Sequence, residues 1–300
     1  MKKIMNWVLA ATIICGASVF TSCNIVDNPV NPDPSEKTEP RISKIFRSGH
    51  MLMKRNVMGM WVTIMDREDE RDLKYGFFWT GNRLDSIVAY AGDPKYNTTY
   101  VMEYDEQGRL IHEYSTGGSY DWKFEYDSKG RLFKMHYAIL WDEGIYNRYV
   151  TSYIYEGDKV TKTIKKGIIY NVQGGPFNKT EECVYTWDGD NVVAMSEVRT
   201  DEEGNVEASS NFTATYSANL NPFRNILQFQ MGTFGLSIQD ELWAMSKNVP
   251  TTISTDGDSG NEYDCVTTGD LVTTFHSHTL AESPTMFSEI TYDHDIEYLY

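Results

Sequence analysis

The 300-residue chain is poor in basic side chains: 27 Lys and Arg stand against 43 Asp and Glu, which gives a formal net charge of −16. Residues 1–22 contain Lys2 and Lys3 and no acidic residue, so the remainder carries 25 basic residues and a net charge of −18. Such an excess of negative charge disfavours nucleic acid as a partner, because phosphates bind basic patches. It also disfavours direct attraction to anionic membrane surfaces.

The motifs of common enzymes and cofactor sites are absent as well. The sequence has no Gly-rich phosphate loop, no Gly-x-Ser-x-Gly turn and no His-Glu-x-x-His segment. Its four cysteines include no CxxC pair and no zinc-binding spacing. His276 and His278 could share one face of a strand, but exposed histidine pairs on strands are more often incidental than metal-binding. The sequence therefore predicts no catalytic residue, no metal site and no cofactor.

The first 22 residues are typical of a bacterial export signal. Lys2 and Lys3 precede a largely apolar stretch, residues 8–19, that is too short to be a good membrane span. The ending Thr-Ser-Cys is similar to the lipobox of bacterial lipoproteins, and this resemblance implies that Cys23 is acylated. Acyl chains would anchor the protein without a transmembrane helix. The alternative is an ordinary secretory signal with a chance cysteine.

Residues 23–40 contain four prolines and mostly polar side chains, which predicts a disordered, extended tether. Residues 41–300 then form a single domain, since 41% hydrophobic residues and 20 Tyr suffice for a packed core. Cys183 and Cys265 lie inside this domain, and two interpretations stay open. They form a disulfide, which would stabilise the fold by roughly 4 kcal/mol, or they are buried and unpaired.

Apolar and polar residues alternate from residue 42 to about residue 216, as expected of strands with one buried face. Residues 104–110 and 126–132 share the pattern Tyr-Asp-x-x-Gly-Arg-Leu, in which Asp and Gly favour a tight hairpin turn. Weaker copies occupy residues 155–160, 187–192 and 200–206. Hairpin after hairpin at this spacing predicts an antiparallel up-and-down meander.

The predicted fold class is all-β, a hairpin meander that forms a soluble barrel or a strongly curled sheet. One or two short helices are expected near residues 221–247, because Asn221 and Pro222 suit a helix cap and first turn. An outer-membrane barrel is disfavoured because the apolar faces are rich in Tyr along their whole length, whereas such barrels confine aromatic residues to two girdles.

A family resemblance emerges from these features together. The lipobox, the Asn- and Pro-rich tether, the repeated turns and the stretches at residues 221–223 and 246–251 look like a family of Bacteroidetes lipoproteins, classed as a domain of unknown function with a porin-like fold. The resemblance covers roughly residues 40–300 and implies one antiparallel β-domain without an established activity. The turn pattern also resembles the YD repeats of Rhs-type proteins, although two good copies are far short of such an array.

Aromatic residues offer the most specific functional hypothesis. Four tryptophans near predicted strand ends could form a platform for sugar rings, or they could simply fill the core: Trp79, Trp122, Trp141 and Trp187. The favoured hypothesis is a non-enzymatic, lipid-anchored lipoprotein of the outer membrane, on its cell-surface or periplasmic face, that binds a glycan or an envelope protein. The alternatives are a structural or accessory envelope protein with a filled barrel, and a hydrolase with a carboxylate or His site inside the barrel.

Overall fold

The computed structural model describes residues 40–57, 60–63, 69–91, 93–141, 144–171, 175–224, 245–256, 260–283 and 286–299. Within these ranges seventeen strands form one antiparallel sheet. They are β1 (Arg41–Val57), β2 (Met60–Thr63), β3 (Asp69–Thr80), β4 (Arg83–Ala89), β5 (Thr98–Tyr104), β6 (Leu110–Ser115), β7 (Tyr120–Tyr126), β8 (Leu132–Trp141), β9 (Gly144–Glu156), β10 (Lys159–Asn171), β11 (Gly175–Asp188), β12 (Asn191–Thr200), β13 (Val206–Leu220), β14 (Asn248–Thr255), β15 (Gly260–Thr268), β16 (Leu271–Ser283) and β17 (Met286–Leu299). The one helical element in the same ranges is a 3-10 turn, Pro94–Tyr96.

The sheet closes on itself through β1. This strand pairs with β17 on one side and with β2 and β3 on the other. Because β2 and β3 pair with successive parts of β1, the described strands fill sixteen positions around the ring. From β3 to β17 each strand pairs with the next one in sequence. The predicted antiparallel meander is thus confirmed, and it is a closed barrel.

The connections between strands fall at two ends of the barrel. At the basal end, where Arg41 pairs with Leu299, lie the short turns of residues 81–82, 105–109, 127–131, 157–158, 189–190 and 269–270 and the connection from β13 to β14. The distal end carries the others, including residues 201–205. The predicted helices near residues 221–247 fall largely outside the described residues. Residues 222–224, after Asn221, form a turn in which the Phe223 N–H donates to Asn221 Oδ1 at 2.9 Å.

Burial alternates along the strands as the sequence predicts. In β7, Trp122 and Phe124 are buried while Lys123 and Glu125 are exposed. The buried set lines the barrel interior and is almost entirely apolar toward the basal end, where Ile87, Val192 and Ile253 are fully buried. The basal half of the barrel is therefore its hydrophobic core.

The outer face of the described strands carries both charged pairs and exposed apolar side chains such as Phe78, Phe133 and Val266. His112 on β6 contacts Glu103 on β5 at 3.0 Å and Asp121 on β7 at 2.9 Å, and so bridges three neighbouring strands. On the same face Lys162 pairs with Glu182 at 2.7 Å. Among the described residues, no helix is long and apolar enough to cross a membrane.

The two best copies of the repeated turn have the same internal structure. Asp105 Oδ1 accepts hydrogen bonds from the N–H groups of Gln107 and Arg109, at 3.0 and 2.8 Å, and Oδ2 accepts from Arg109 Nε at 2.7 Å. Gly108 has a φ of 77°, a backbone conformation in which a residue with a side chain would be strained. Burial opposes ionisation of Asp105, but the hydrogen bonds and charge of Arg109 outweigh it and hold the pKa of the carboxyl below its ordinary 3.8. The pKa of Asp127 is lowered in the same way by its hydrogen bonds with Arg131 and by the charge of that residue.

At seven places among the described residues, an aromatic side chain joins a basal hairpin to the strand before it. The Tyr126 hydroxyl donates to the carbonyl oxygen of Leu110 at 2.7 Å, and the Arg109 guanidinium lies 4.9 Å from the centre of the Tyr126 ring. We call this hydrogen bond a clasp. Clasps of 2.5–2.9 Å join Trp79 to Ile42, Tyr104 to Leu84, Tyr126 to Leu110, Tyr155 to Leu132, Trp187 to Val160, Tyr216 to Val192 and Tyr298 to Val272.

The clasps have a clear physical cause. The backbone ladder between β6 and β7 ends at the pair His112–Lys123, two residues short of Leu110. A register shift at Glu125/Tyr126 then turns the Tyr126 side chain toward the Leu110 carbonyl, which has no partner in the ladder between β6 and β7. A buried carbonyl without a partner is costly, and the Tyr hydroxyl removes that cost.

The copy at residues 200–206 differs from the others. Its Asp201 Oδ1 accepts from the Asn205 N–H at 2.7 Å, so the turn itself forms. It lies at the distal end, however, and Val206 is 64% exposed instead of buried like Leu110 and Leu132. This copy therefore does not seal the core beside its turn, because it joins its two strands at the opposite end of the barrel.

Candidate functional site

Above the basal core, the inner face of β5 to β9 carries a group of five aromatic residues, the aromatic wall. Tyr120 stacks on Trp122 with ring centres 5.7 Å apart and an angle of 14° between the rings. Trp122 lies 5.0 Å from Tyr137, which lies 4.5 Å from Tyr149. Tyr100 completes the wall at 5.9 Å from Trp122. Trp122, Tyr100 and Tyr137 are buried, whereas Tyr120 and Tyr149 are half-buried and present ring surface to the interior.

Next to the aromatic wall, β10 to β12 carry charged side chains on the same inner face. Lys165, Glu181 and Arg199 lie side by side on β10, β11 and β12 as direct pairing partners. Lys165 Nζ lies 3.6 Å from Glu181 Oε1, and Arg199 Nε lies 3.3 Å from Glu181 Oε2. Arg199 Nε also contacts Glu197 Oε1 at 2.5 Å. We call these four residues the charged cluster.

Glu197 is the most buried member of the charged cluster. Burial raises the pKa of its carboxyl above the ordinary value, and the nearby negative charge of Glu181 raises it further, while Arg199 and Lys165 oppose the rise. Its side chain is only 5% exposed, against 32% for Lys165 and 38% for Arg199. The two cations are thus the solvent-accessible part of the cluster.

Lys165 connects the charged cluster with the aromatic wall. Its ammonium group lies 4.4 Å from the centre of the Tyr149 ring, within the range of a cation–π contact. Tyr149 packs here because its pairing partner on β10 is Gly167. A Cβ atom at residue 167 would overlap the carbonyl oxygen of Arg148 and the Cα of Tyr149. Tyr120, Tyr149, Lys165, Glu181 and Arg199 together form the inner site, a water-accessible surface of rings and charges.

The predicted tryptophan platform is not assembled. The Trp79 and Trp187 indole N–H groups are engaged in clasps on β3 and β11, far apart around the ring. Trp122 is 3% exposed and belongs to the aromatic wall. These three fit the alternative that tryptophans fill or seal the core. Trp141 ends β8, and its side chain lies outside the described residues, as do Cys23, the signal segment and the tether.

Cys183 is buried on β11 and Cys265 is partly buried on β15, with three strands between them, so the two do not form a disulfide with each other in this structure. The Asn219 side-chain amide donates to Cys265 Sγ at 3.1 Å. Among the described residues, no group of three or more His, Cys, Asp and Glu is placed to hold a metal ion.

Sequence reasoning missed the charged cluster. Its signal was present: Lys165, Glu181 and Glu197 occupy positions at which the alternation calls for a buried apolar side chain. Charges at such positions are costly unless they are paired, so they mark a polar part of the interior. Glu113 on β6 is fully buried opposite Trp122 on β7. It is a further inward-facing carboxylate that the sequence pattern did not indicate.

No family model and no curated protein matches the chain. Among solved structures, the barrel is similar to the crystal structure of a porin-like protein from Bacteroides uniformis, with a TM-score of 0.50 and 12% sequence identity over 86% of this chain and 96% of that one. A structure of TcdB2-TccC3-TEV aligns with 80% of this chain and 19% of its own at 10% identity and a TM-score of 0.16. A Tc holotoxin pore of Photorhabdus luminescens aligns with 78% of this chain and 14% of its own, at 9% identity and a TM-score of 0.15. The first of these likenesses concerns the fold alone, and by it the chain has a porin-like β-barrel.

Proposed function

We propose that the protein is a lipid-anchored envelope lipoprotein of the Bacteroidetes kind whose barrel binds a glycan at the inner site. The observation that carries this proposal is the pairing of half-buried Tyr rings with accessible charged groups inside a barrel that is otherwise packed. Flat aromatic faces stack on the apolar faces of sugars, and charged side chains bind their hydroxyl groups. Because these residues lie on the inner face of the barrel, a small ligand such as a glycan fits the inner site better than a folded protein partner does.

The location follows from other features. The export signal and the Thr-Ser-Cys ending favour acylation of Cys23. Charged pairs on the outer face, such as Lys162–Glu182, favour a barrel that stands in water beside the membrane. Arg41, the first residue of β1, lies at the basal end, so the tether would join the barrel there. The inner site belongs to the part of the barrel farther from that anchor.

A hydrolase is the weaker hypothesis, although Glu181 and Glu197 converge on one guanidinium. Glycosidase carboxylates face an open cleft, and the Glu197 side chain is nearly inaccessible. A structural envelope role is the second candidate, and the solid packing of the basal half favours it.

A glycan screen on soluble residues 24–300 tests the proposal. We expect one class of glycan to bind, and Tyr149→Ala and Arg199→Gln each to weaken that binding at least about tenfold, since each removes one half of the inner site. Tyr96→Ala is the matched control, because Tyr96 is an aromatic residue 65% exposed outside the inner site. Absence of any glycan binding, or equal binding by Tyr149→Ala and the parent, would leave the structural role as the better explanation.

A further inference from the structure

The ring of clasps has one gap. Eight seams join consecutive basal hairpins, and within the described residues seven of them have an aromatic clasp. The eighth is the seam between β14 and β15. There the acceptor would be the carbonyl of Val249, and it is taken instead by Ser217 Oγ at 3.2 Å, from β13 of the same hairpin. No aromatic side chain crosses this seam among the described residues.

The sequence explains the gap. The register shift that precedes the aromatic residue in other hairpins occurs here at Val266/Thr267, so Thr267 holds the aromatic position. At other seams a cation such as Arg83 or Lys159 precedes the acceptor residue and lies over the ring of the next hairpin, whereas here Asn248 precedes Val249. Threonine is too short to span the seam, and asparagine provides no cation.

The backbone ladder is also short at this seam. Within the described residues, β14 and β15 pair only at Thr252–Glu262, Ile253–Asn261 and Ser254–Gly260. Toward the basal end the ladder ends at Thr252, three residues away from Val249. Pro250 lies between them and has no N–H to donate. The seam between β6 and β7 has equally few pairs, but there a clasp and the His112 bridge supplement them.

We propose that the barrel opens sideways between β14 and β15, ahead of any other seam, and that this opening is a lateral way into its interior. Local opening occurs where the fewest hydrogen bonds must break, and this seam has both the short ladder and no clasp. Cys265 lies beside the opening and is tied to the neighbouring hairpin only through the Asn219 amide. The inference depends on the seam alone and on no part of the proposed function.

Amide hydrogen exchange of the full-length protein tests this directly. We expect amides of residues 251–254 and 261–266 to exchange at least about tenfold faster than those of residues 194–198 and 210–213, at the clasped seam of β12 and β13. Equal rates at the two seams would overturn the proposal. The comparison is made within one protein, so it needs no variant that must fold.

Two variants test the cause. Thr267→Tyr supplies the missing aromatic hydroxyl, and we expect exchange at β14 and β15 and thiol labelling of Cys265 to slow several-fold. Tyr216→Phe removes the clasp of the β12–β13 seam, and we expect exchange there to rise toward that of β14–β15. Buried Cys183 is the reference for labelling. If Tyr216→Phe folds and leaves exchange at its seam unchanged, clasps do not control opening and the proposal fails.

Discussion

Replacing Tyr126 with Phe removes one hydroxyl and changes almost nothing else. The hydroxyl donates to Leu110 O at 2.7 Å, and burial raises its pKa, so that it remains a protonated donor throughout the ordinary pH range. In the variant the Leu110 carbonyl loses its clasp in a place that the ladder does not cover. Leaving a buried acceptor without its partner costs about 1–3 kcal/mol. For a chain of this size, about 2 °C of melting temperature corresponds to 1 kcal/mol, so we expect Tm to fall by about 2–6 °C.

Thermal unfolding followed by circular dichroism measures this loss. Tyr96→Phe is the control, because its ring is 65% exposed and surface changes usually stay within about 0.5 kcal/mol. Tyr104→Phe and Tyr155→Phe should each reproduce the loss, since their clasps have the same geometry at other seams. A Tm for Tyr126→Phe within the shift of the control would show that the clasps contribute nothing to stability.

Four further outcomes are expected. The carboxyls of Asp105 and Asp127 have pKa values below the ordinary 3.8 in the folded barrel. The free energy of unfolding that they contribute is therefore complete above the ordinary pKa and is lost as the pH falls through the lower folded values. The double variant Asp105→Asn, Asp127→Asn should show less change of that free energy between about pH 5 and pH 2, as measured by urea unfolding. Gly167→Ala should lower Tm by several degrees, because the new Cβ meets backbone of β9, whereas Gly117→Ala, with open space around it, should not. Cys23→Ala should move the protein from the membrane to the soluble fraction, and unchanged membrane retention would rule out the lipid anchor. Arg199→Gln should raise the pKa of Glu197, which carboxyl NMR would show as a titration midpoint at higher pH and an unchanged midpoint would contradict.

The sequence was sufficient for the fold because its signals are local. Alternation in β7 and the turns at Gly108 and Gly130 depend on a few neighbouring residues, and a chain of such hairpins has few other ways to arrange itself. The turn at residues 200–206 shows what the local sequence does not predict. Its Asp and Gly have the same roles as in the other copies, but which end of the barrel it occupies depends on the number of strands before it.

The inner site could not be predicted in the same way. Lys165, Glu181 and Arg199 are far apart in sequence and become neighbours only through the registers of two ladders. The sequence offered four tryptophans as either a platform or core residues, and it did not single out Tyr149. In the structure Trp122 is covered by Tyr100 and Tyr137, while Tyr149 remains partly accessible. Exposure of a ring depends on its neighbours across strands, and no property of the residue itself contains that information.

Closure of the ring through β1 and β17 has a consequence for how the barrel folds. Every other pairing among the described strands joins elements close in sequence, but the Ser43 hydroxyl donates to the Glu297 carbonyl across 254 positions. Such a contact forms late, because closing a long loop costs entropy before any bond repays it. Until β17 arrives, the nascent sheet has two bare edges that invite pairing with other chains. The chain must therefore be kept apart from its copies until its last strand is available, and the rate of that final closure determines how much of it reaches the native state.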